Sequence, residues 1–385
     1  MDITGLLQVL LALLVGGGCV YTLFAIFAVY DFFTKHNEDR AALPSFPVSV
    51  LKPLKGKDPE LRENIVSFCS QDYPDYEVLL GVTDPDDEAQ PVAEEIAATQ
   101  KKGKVRVVIS HDRHGANLKV SNVHGLAGAA RHPLLAISDS DMRVEKDYLA
   151  TIVREFLSHK NAGLVTCLYK ISAPESLGAA LESLSLALDF APSVLVARRL
   201  EGVTFGLGAS LLVSKKALDE IGGFSAMADY LADDYQLGNR ILKKGYRIIL
   251  SRYVLEDVVG KISVTGHILH QLRWARTYRA SRPKGYLGYG ITHVVPLSLL
   301  FLMLHGPTAS SLSLVGAVLT LRFLLAFAIY RTVVRRKEWL KWLAILPLRD
   351  VTSFLIWCWS FSGRQVYWRG RYFRVLKGGK IVSEG

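Results

Sequence analysis

A chain of 385 residues, half of them hydrophobic and of positive mean hydropathy, has enough apolar material for a large core and for membrane segments besides. Cys19, Cys69, Cys167 and Cys358 lie too far apart for a CxxC metal or redox site and form no disulfide framework, so all are read as buried thiols. The formal charge of +10 at pH 7 suits an anionic partner without choosing among nucleic acid, anionic lipid and a phosphorylated small substrate.

From Ile3 to Tyr30 no residue is charged, more than the roughly 20 residues a bilayer crossing needs. A signal peptide fits less well, because Asp2 gives no basic lead, the apolar run is too long and no small-x-small cleavage site follows. Residues 1–32 are therefore expected to be a transmembrane anchor. Lys35 and Arg40 follow it and Asp2 precedes it, so the positive-inside tendency puts the rest in the cytoplasm, at the inner membrane.

Residues 45–260 change character. VSVLKPL (48–54), YEVLLGV (76–82), KVRVVIS (104–110) and LLAIS (134–138) predict strands, and 58–71, 91–102 and 117–130 between them predict helices. Strand and helix alternating at this pitch imply an α/β domain with a mostly parallel sheet and helices on both faces. Ligands bind such sheets at the carboxyl ends of the strands, which is where Asp84, Asp139 and Asp141 fall. Further on, 202–224 predicts a glycine-rich strand leading into a short helix, and 231–250 a helix opening on Asp233 and Asp234, then a strand.

Residues 261–284 carry Arg273, Arg276, Arg279 and Arg282 at every third position among apolar side chains. That pattern predicts an amphipathic helix on an anionic membrane, with the last three arginines among the headgroups. Residues 285–363 are expected to hold membrane helices: spans near 286–304 and 308–330, and a block from Trp339 to Phe361 whose Arg349-Asp350 must face protein or an interface. Three such spans after the anchor would place the basic tail, 364–385, outside, against the positive-inside rule; one block is thus expected to be re-entrant or interfacial.

An Asp-x-Asp at a strand end can hold a divalent cation that bridges a diphosphate; its bland reading is a turn or the cap of the helix predicted over 144–156. Asp84 is placed to accept hydrogen bonds from a ribose or base, whereas Asp86 and Asp87 read as turn residues. Asp233 and Asp234 suit a helix dipole, and the same address suits a catalytic base.

In order, VLKPLKG (50–56), DYPDYEVLLGVTDPDD (72–87), AISDSDMRV (136–144), LADDY (231–235), LRW (272–274) and WRGRYFR (368–374) resemble the ceramide glucosyltransferase family. This membrane branch of the GT-A glycosyltransferases includes the bacterial hopanoid-associated enzymes. The resemblance implies a GT-A catalytic domain, Rossmann-like, with transmembrane helices, and inverting transfer from a UDP-sugar to a membrane lipid. It assigns Asp234 as base, Asp84, Lys119, Asp139, Arg273, Trp274 and His270 to the donor, and Asp139 with Asp141 to Mg²⁺ or Mn²⁺. The implied partners are the UDP-sugar, a lipid acceptor and the phospholipid bilayer, with no nucleic acid. The chain departs from the family pattern at His270, where the family has Gln or Arg, and from its eukaryotic enzymes at Ala191 and Asp141, where these have His and Gly. The last two favour the hopanoid type, with N-acetylglucosamine transfer, over glucosyl transfer to ceramide. Rival readings are a processive polysaccharide synthase, a glycoside hydrolase and a non-enzymatic membrane-anchored protein that binds anionic lipid or nucleic acid.

Overall fold

The computed structural model describes residues 2–34, 46–100 and 103–384. Lys35 and Arg40, which carry the orientation argument, lie outside the described residues, as do Lys101 and Lys102 at the end of one predicted helix. The apolar N-terminal run forms one helix, α1 (Ile3–Thr34).

The four predicted strands form as β1 (Val48–Pro53), β2 (Tyr76–Val82), β3 (Val105–Ile109) and β4 (Leu134–Ile137), parallel to one another. Helices α2 (Leu61–Cys69), α3 (Ala89–Thr99) and α4 (Leu118–Ala129) connect them. Every residue of β1, β2 and β4 is buried, so these strands read as continuous apolar runs rather than alternating ones. The chain continues through β5 (Met142–Arg143), α5 (Tyr148–Ser158), β6 (Ala162–Lys170), α6 (Leu177–Ser185), a π-helical turn (Leu186–Phe190) and α7 (Ala191–Glu201). Then come β7 (Leu211–Ser214), α8 (Lys215–Glu220), α9 (Asp233–Lys243) and β8 (Arg247–Asp257). The sheet has eight strands in the order β3-β2-β1-β4-β7-β6-β8-β5, and all but β5 and β7 run the same way. One buried cluster fills the face under α2, α3 and α5, and a second the face under α4 and α9.

Beyond the sheet lie α10 (Val264–Ser281), α11 (Pro283–Gly288), α12 (Val294–His305), α13 (Ala309–Ile329) and α14 (Leu346–Ser360). By length and composition α1, 309–334 and 337–360 suit a bilayer crossing, and each leaves most of its apolar stretch outside the protein core. The 286–304 block is not one straight helix: 283–292 and α12 meet at a 60° bend, the geometry of a broken span or a re-entrant loop. Residues 177–201 are also long and apolar enough, but 83% of that stretch is buried within the protein against 22% for α1. It is a core helix pair, packed with α1 and α13 in a third apolar cluster.

Several sequence expectations need correction. Arg276 donates to the Ser362 and Gln365 carbonyls and Arg279 to those of Phe361 and Gly363, while Arg282 pairs with Glu201 at 2.8 Å. Their fork-shaped donors are used on protein rather than on headgroups, because the chain end folds back against α10. The basic tail forms an antiparallel sheet of β9 (Gln365–Trp368), β10 (Arg371–Val375) and β11 (Ile381–Ser383). Cys358 is exposed and Cys19 half-buried; only Cys69 and Cys167 are buried, since the other two sit on apolar helices whose outer faces have no protein cover.

Candidate functional site

The carboxyl ends of β1, β2 and β4, the loop before β7, the start of α9 and one side of α10 surround a cavity of about 1230 Å³. Asp84, Lys119, Asp139, Asp141, Asp234, His270, Arg273 and Trp274 all line it, although they span nearly half the chain. Parallel topology explains the convergence: each strand delivers its following loop to the same edge.

Asp139 leaves β4 and meets Lys119 Nζ at 2.5 Å. Burial opposes the charge on Lys119, but Asp139, Asp233 and Asp234 outweigh it and hold the ammonium above the ordinary lysine range. Asp141 has no such partner. Its Oδ1 is buried without a hydrogen bond, and burial, with Asp139 and Asp58 close by, pushes its carboxyl up to about 6. Asp257, at the end of β8, likewise has a buried, unpartnered Oδ1, and burial holds it well above the usual range. Beneath the loop, fully buried Lys52 donates to the carbonyl of Asp139 and lies 4.0 Å from the centre of the Phe68 ring. Burial draws Lys52 down to about 7, against the pull of Asp141 and Asp139.

Asp234 is held by two backbone N–H groups: Gly208 donates to Oδ2 at 2.8 Å and Tyr235 to Oδ1 at 2.7 Å. Burial raises its pKa, while Lys119 and these two donors restrain the rise. Only glycine fits at 208 without displacement, because a Cβ there would lie 3.2 Å from Asp234 Oδ2 and 3.5 Å from Lys119 Nζ. Asp233 points to the same cation and is raised to about 6, chiefly by burial.

From α10, Arg273 enters the cavity with no hydrogen-bond or ion-pair partner among the described residues, and burial lowers it to about 10, so it stays charged. Trp274 packs against His270 and Phe190 with tilted rings at separations of 5.0 and 5.6 Å. His270 commits Nδ1 to Glu182 Oε1 at 2.8 Å, and the same carboxylate takes His267 at 2.6 Å and Gln271 at 2.8 Å. Glu182 thus fixes how α10 presents Arg273 and Trp274. Asp84 lines the cavity and accepts the Asp86 N–H at 3.1 Å, whereas Asp87 is a turn residue that caps Gly56 and Ala89 and pairs with Lys55.

Sequence reading missed Gly208, Glu182, Asp257 and the buried role of Lys52. Glu182 and Lys52 gain their roles only from distant partners, the α10 histidines and the Asp139 carbonyl, which nothing local in sequence marks. The tail motif was quoted, but nothing local shows that Trp368, Arg369, Arg371 and Phe373 line this cavity.

Among the described residues no three His, Cys, Asp or Glu side chains converge closely enough to hold a metal alone. The orphaned Oδ1 of Asp141 is a hard donor close to Asp139, and such a pair of carboxylates fits a divalent cation completed by phosphate oxygens. Tyr278, Tyr286 and Trp357 also line the cavity, so aromatic side chains of α10, α11 and α14 share it with the charged cluster.

The chain is 26% identical over 371 residues to ceramide glucosyltransferase 3 of Caenorhabditis elegans, covering 94% of this chain and 80% of that one. Ceramide glucosyltransferase 1 of the same organism is 28% identical over 279 residues, 71% of this chain and 59% of its own. In structure it is similar to the mannosyltransferase PcManGT of Pyrobaculum calidifontis, solved with GDP-Man and Mn²⁺, at a TM-score of 0.54 and 19% identity over 92% of this chain and 99% of that one. That likeness makes the mixed sheet a GT-A fold. The model of glycosyl transferase family 21 matches residues 9–381, nearly the whole chain, and the protein accordingly belongs to that family and is a glycosyltransferase.

Proposed function

We propose that the protein transfers a sugar, with inversion, from a UDP-sugar to the hydroxyl of a membrane lipid, a hopanoid or a ceramide. The observation that carries this reading is that one cavity joins two cations suited to an anion, Lys119 and Arg273, to aromatic side chains of α10, α11 and α14, with Asp234 beside Lys119. The ceramide glucosyltransferase relatives support a sphingolipid-like acceptor.

Asp234 acts as general base. Its carboxylate, fixed by Gly208 and Tyr235, takes the proton of the acceptor hydroxyl as that oxygen attacks the anomeric carbon from the face opposite the leaving diphosphate. Burial makes it a stronger base than a solvated aspartate. Lys119 and Arg273 stabilise the charge that grows on the departing UDP, and Asp84 accepts hydrogen bonds from its nucleoside. Mg²⁺ or Mn²⁺, held by Asp139 and Asp141, would neutralise diphosphate charge. Trp274 and His270 line the sugar. With α1 as anchor and the cavity on the cytoplasmic side of the inner membrane, cytosolic donor and bilayer acceptor meet in one place.

Purified protein supplied with UDP-sugars and extracted lipids should release UDP and yield a singly glycosylated lipid by mass spectrometry, and Asp234→Asn should yield none. Polymer among the products would point instead to a processive synthase.

A further inference from the structure

We propose that the C-terminal hairpin is part of the donor site, with Arg369 at its turn binding the diphosphate of the nucleotide sugar alongside Arg273. The inference rests on the nucleotide-sugar reading above.

The turn itself is the first sign. Trp368 pairs directly with Arg371, so Arg369 and Gly370 alone connect β9 and β10, and both have positive φ, 49° and 80°. A two-residue turn of this hand favours Asn-Gly, because an L side chain at the first position is strained and asparagine tolerates it best. Arginine gains nothing there for the hairpin. A strained residue kept where an unstrained one is available marks a functional demand.

What Arg369 reaches is the second sign. Its Nη1 donates to the Lys55 carbonyl at 3.0 Å and lies 4.0 Å from Asp58 Oδ1. Asp58 in turn accepts the hydroxyl of Ser140, the residue between Asp139 and Asp141. The tip of the hairpin therefore stands at the loop that carries the Asp-x-Asp. Trp368, Arg371 and Phe373 line the cavity with it.

The hairpin is not loosely attached. Val366, Phe373, Val375 and Ile381 pack with Leu231 in a buried cluster, and Tyr230 bridges to Lys380. Arg276 and Arg279 of α10 clamp the segment from Phe361 to Gln365. The helix that presents Arg273 thus also positions Arg369.

Charge gives the third sign. Arg273 has no partner among the described residues, and Arg369 satisfies one donor on a carbonyl and touches Asp58 only at 4.0 Å. The two guanidinium groups stand close enough for the charge of Arg369 to disfavour that of Arg273. A diphosphate offers the anionic oxygens that forked donors bind best, and it removes this repulsion.

The test compares Arg369→Asn and Arg369→Lys in the full-length protein in detergent, titrated with UDP and with GDP in the presence of Mn²⁺, alongside thermal unfolding. Asparagine suits the turn but carries no charge; lysine keeps the charge and the strain. Arg369→Asn should match or exceed the Tm of the unaltered protein while binding the nucleoside diphosphate about tenfold or more weakly. Arg369→Lys should be less stable than Arg369→Asn yet bind better. Equal binding by Arg369→Asn and the unaltered protein, or affinities that merely follow Tm, would reduce Arg369 to a turn residue and overturn the proposal alone. If the unaltered protein binds neither UDP nor GDP, the nucleotide-sugar reading falls and takes this inference with it.

Discussion

Two of the buried charge clusters among the described residues are finished to different degrees. Between α13, α14 and the π-helical turn, Arg322 makes a two-fold contact to Asp350 at 2.7 Å for each bond, and Arg349 bridges Asp350 at 3.0 Å and Asp189 at 2.5 Å. Two cations meet two anions, and Ser185 and Ser353 take up remaining valences. Asp189, Ser185 and Ser353 of this network reach the wall of the cavity, but at the strand ends of that cavity Asp141 and Asp257 keep orphaned oxygens, and Arg273 has no partner among the described residues. A closed network holds helices together; an open one is stabilised only when a ligand brings the missing charges.

The comparison breaks first at Asp234. Asparagine keeps the side chain's shape and, through its one oxygen, the Gly208 contact, but its NH₂ can neither accept from Tyr235 nor take a proton, so Asp234→Asn should lower kcat by about 10²–10⁴-fold with most of the thermal stability retained. Asp139→Ala, which frees Lys119 and removes a diphosphate-side ligand, should abolish transfer in the same assay. Loss of fold in either variant would mean that the cavity cluster is structural too.

The closed network predicts the reverse. Asp350→Leu leaves Arg322 and Arg349 buried without their shared carboxylate and should cost about 3–5 kcal/mol of stability, read as a large drop in Tm. Pairing it with Arg322→Leu should recover much of that loss, because a matched apolar pair replaces a matched ionic one. If Asp350→Leu is stable but inactive, this cluster also takes part in the chemistry.

Gly208→Ala sharpens the distinction further. The added Cβ would press on Asp234 Oδ2 from 3.2 Å, shifting a carboxylate by a few tenths of an ångström and leaving the sheet intact. Since about 1 Å of misplacement can cost roughly 10²-fold, a loss on the order of tenfold in kcat with unchanged Tm is expected.

How much of this was legible in sequence depends on how local each signal is. The first four strands and the helices between them matched because continuous Val, Leu and Ile runs bounded by turns report a buried parallel sheet directly. Residues 177–201 carry the composition of a membrane helix yet lie inside, since burial against α1 and α13 demands the same apolar side chains as lipid does. Arg276 and Arg279 were assigned to headgroups because their partners are carbonyls more than 80 residues away, which no periodicity encodes. That Asp139, Asp141 and Asp234 share a cavity was legible because they sit at strand and helix ends. Glu182 and Asp257 were not, being lone acids whose meaning comes from what the fold places beside them.

The smallest effect concerns Asp233, the acid that crowds Lys119 and has only a long contact, 3.5 Å, from the Asn117 amide as its side-chain donor. Burial and its neighbours raise it from an ordinary value of 3.8 to about 6, so the folded state binds its proton more tightly than the unfolded chain does. Its contribution to stability is therefore fully present below about pH 4 and is lost as pH rises past about 6. Asparagine carries no charge at any pH. Asp233→Asn should accordingly leave Tm nearly unchanged at pH 4 and raise it modestly at pH 7.5, the gain appearing between those values in a series of melts. A gain of equal size at both pH values would mean that Asp233 meets no ionisation penalty in the fold, and the open cluster would then be better compensated than its geometry implies.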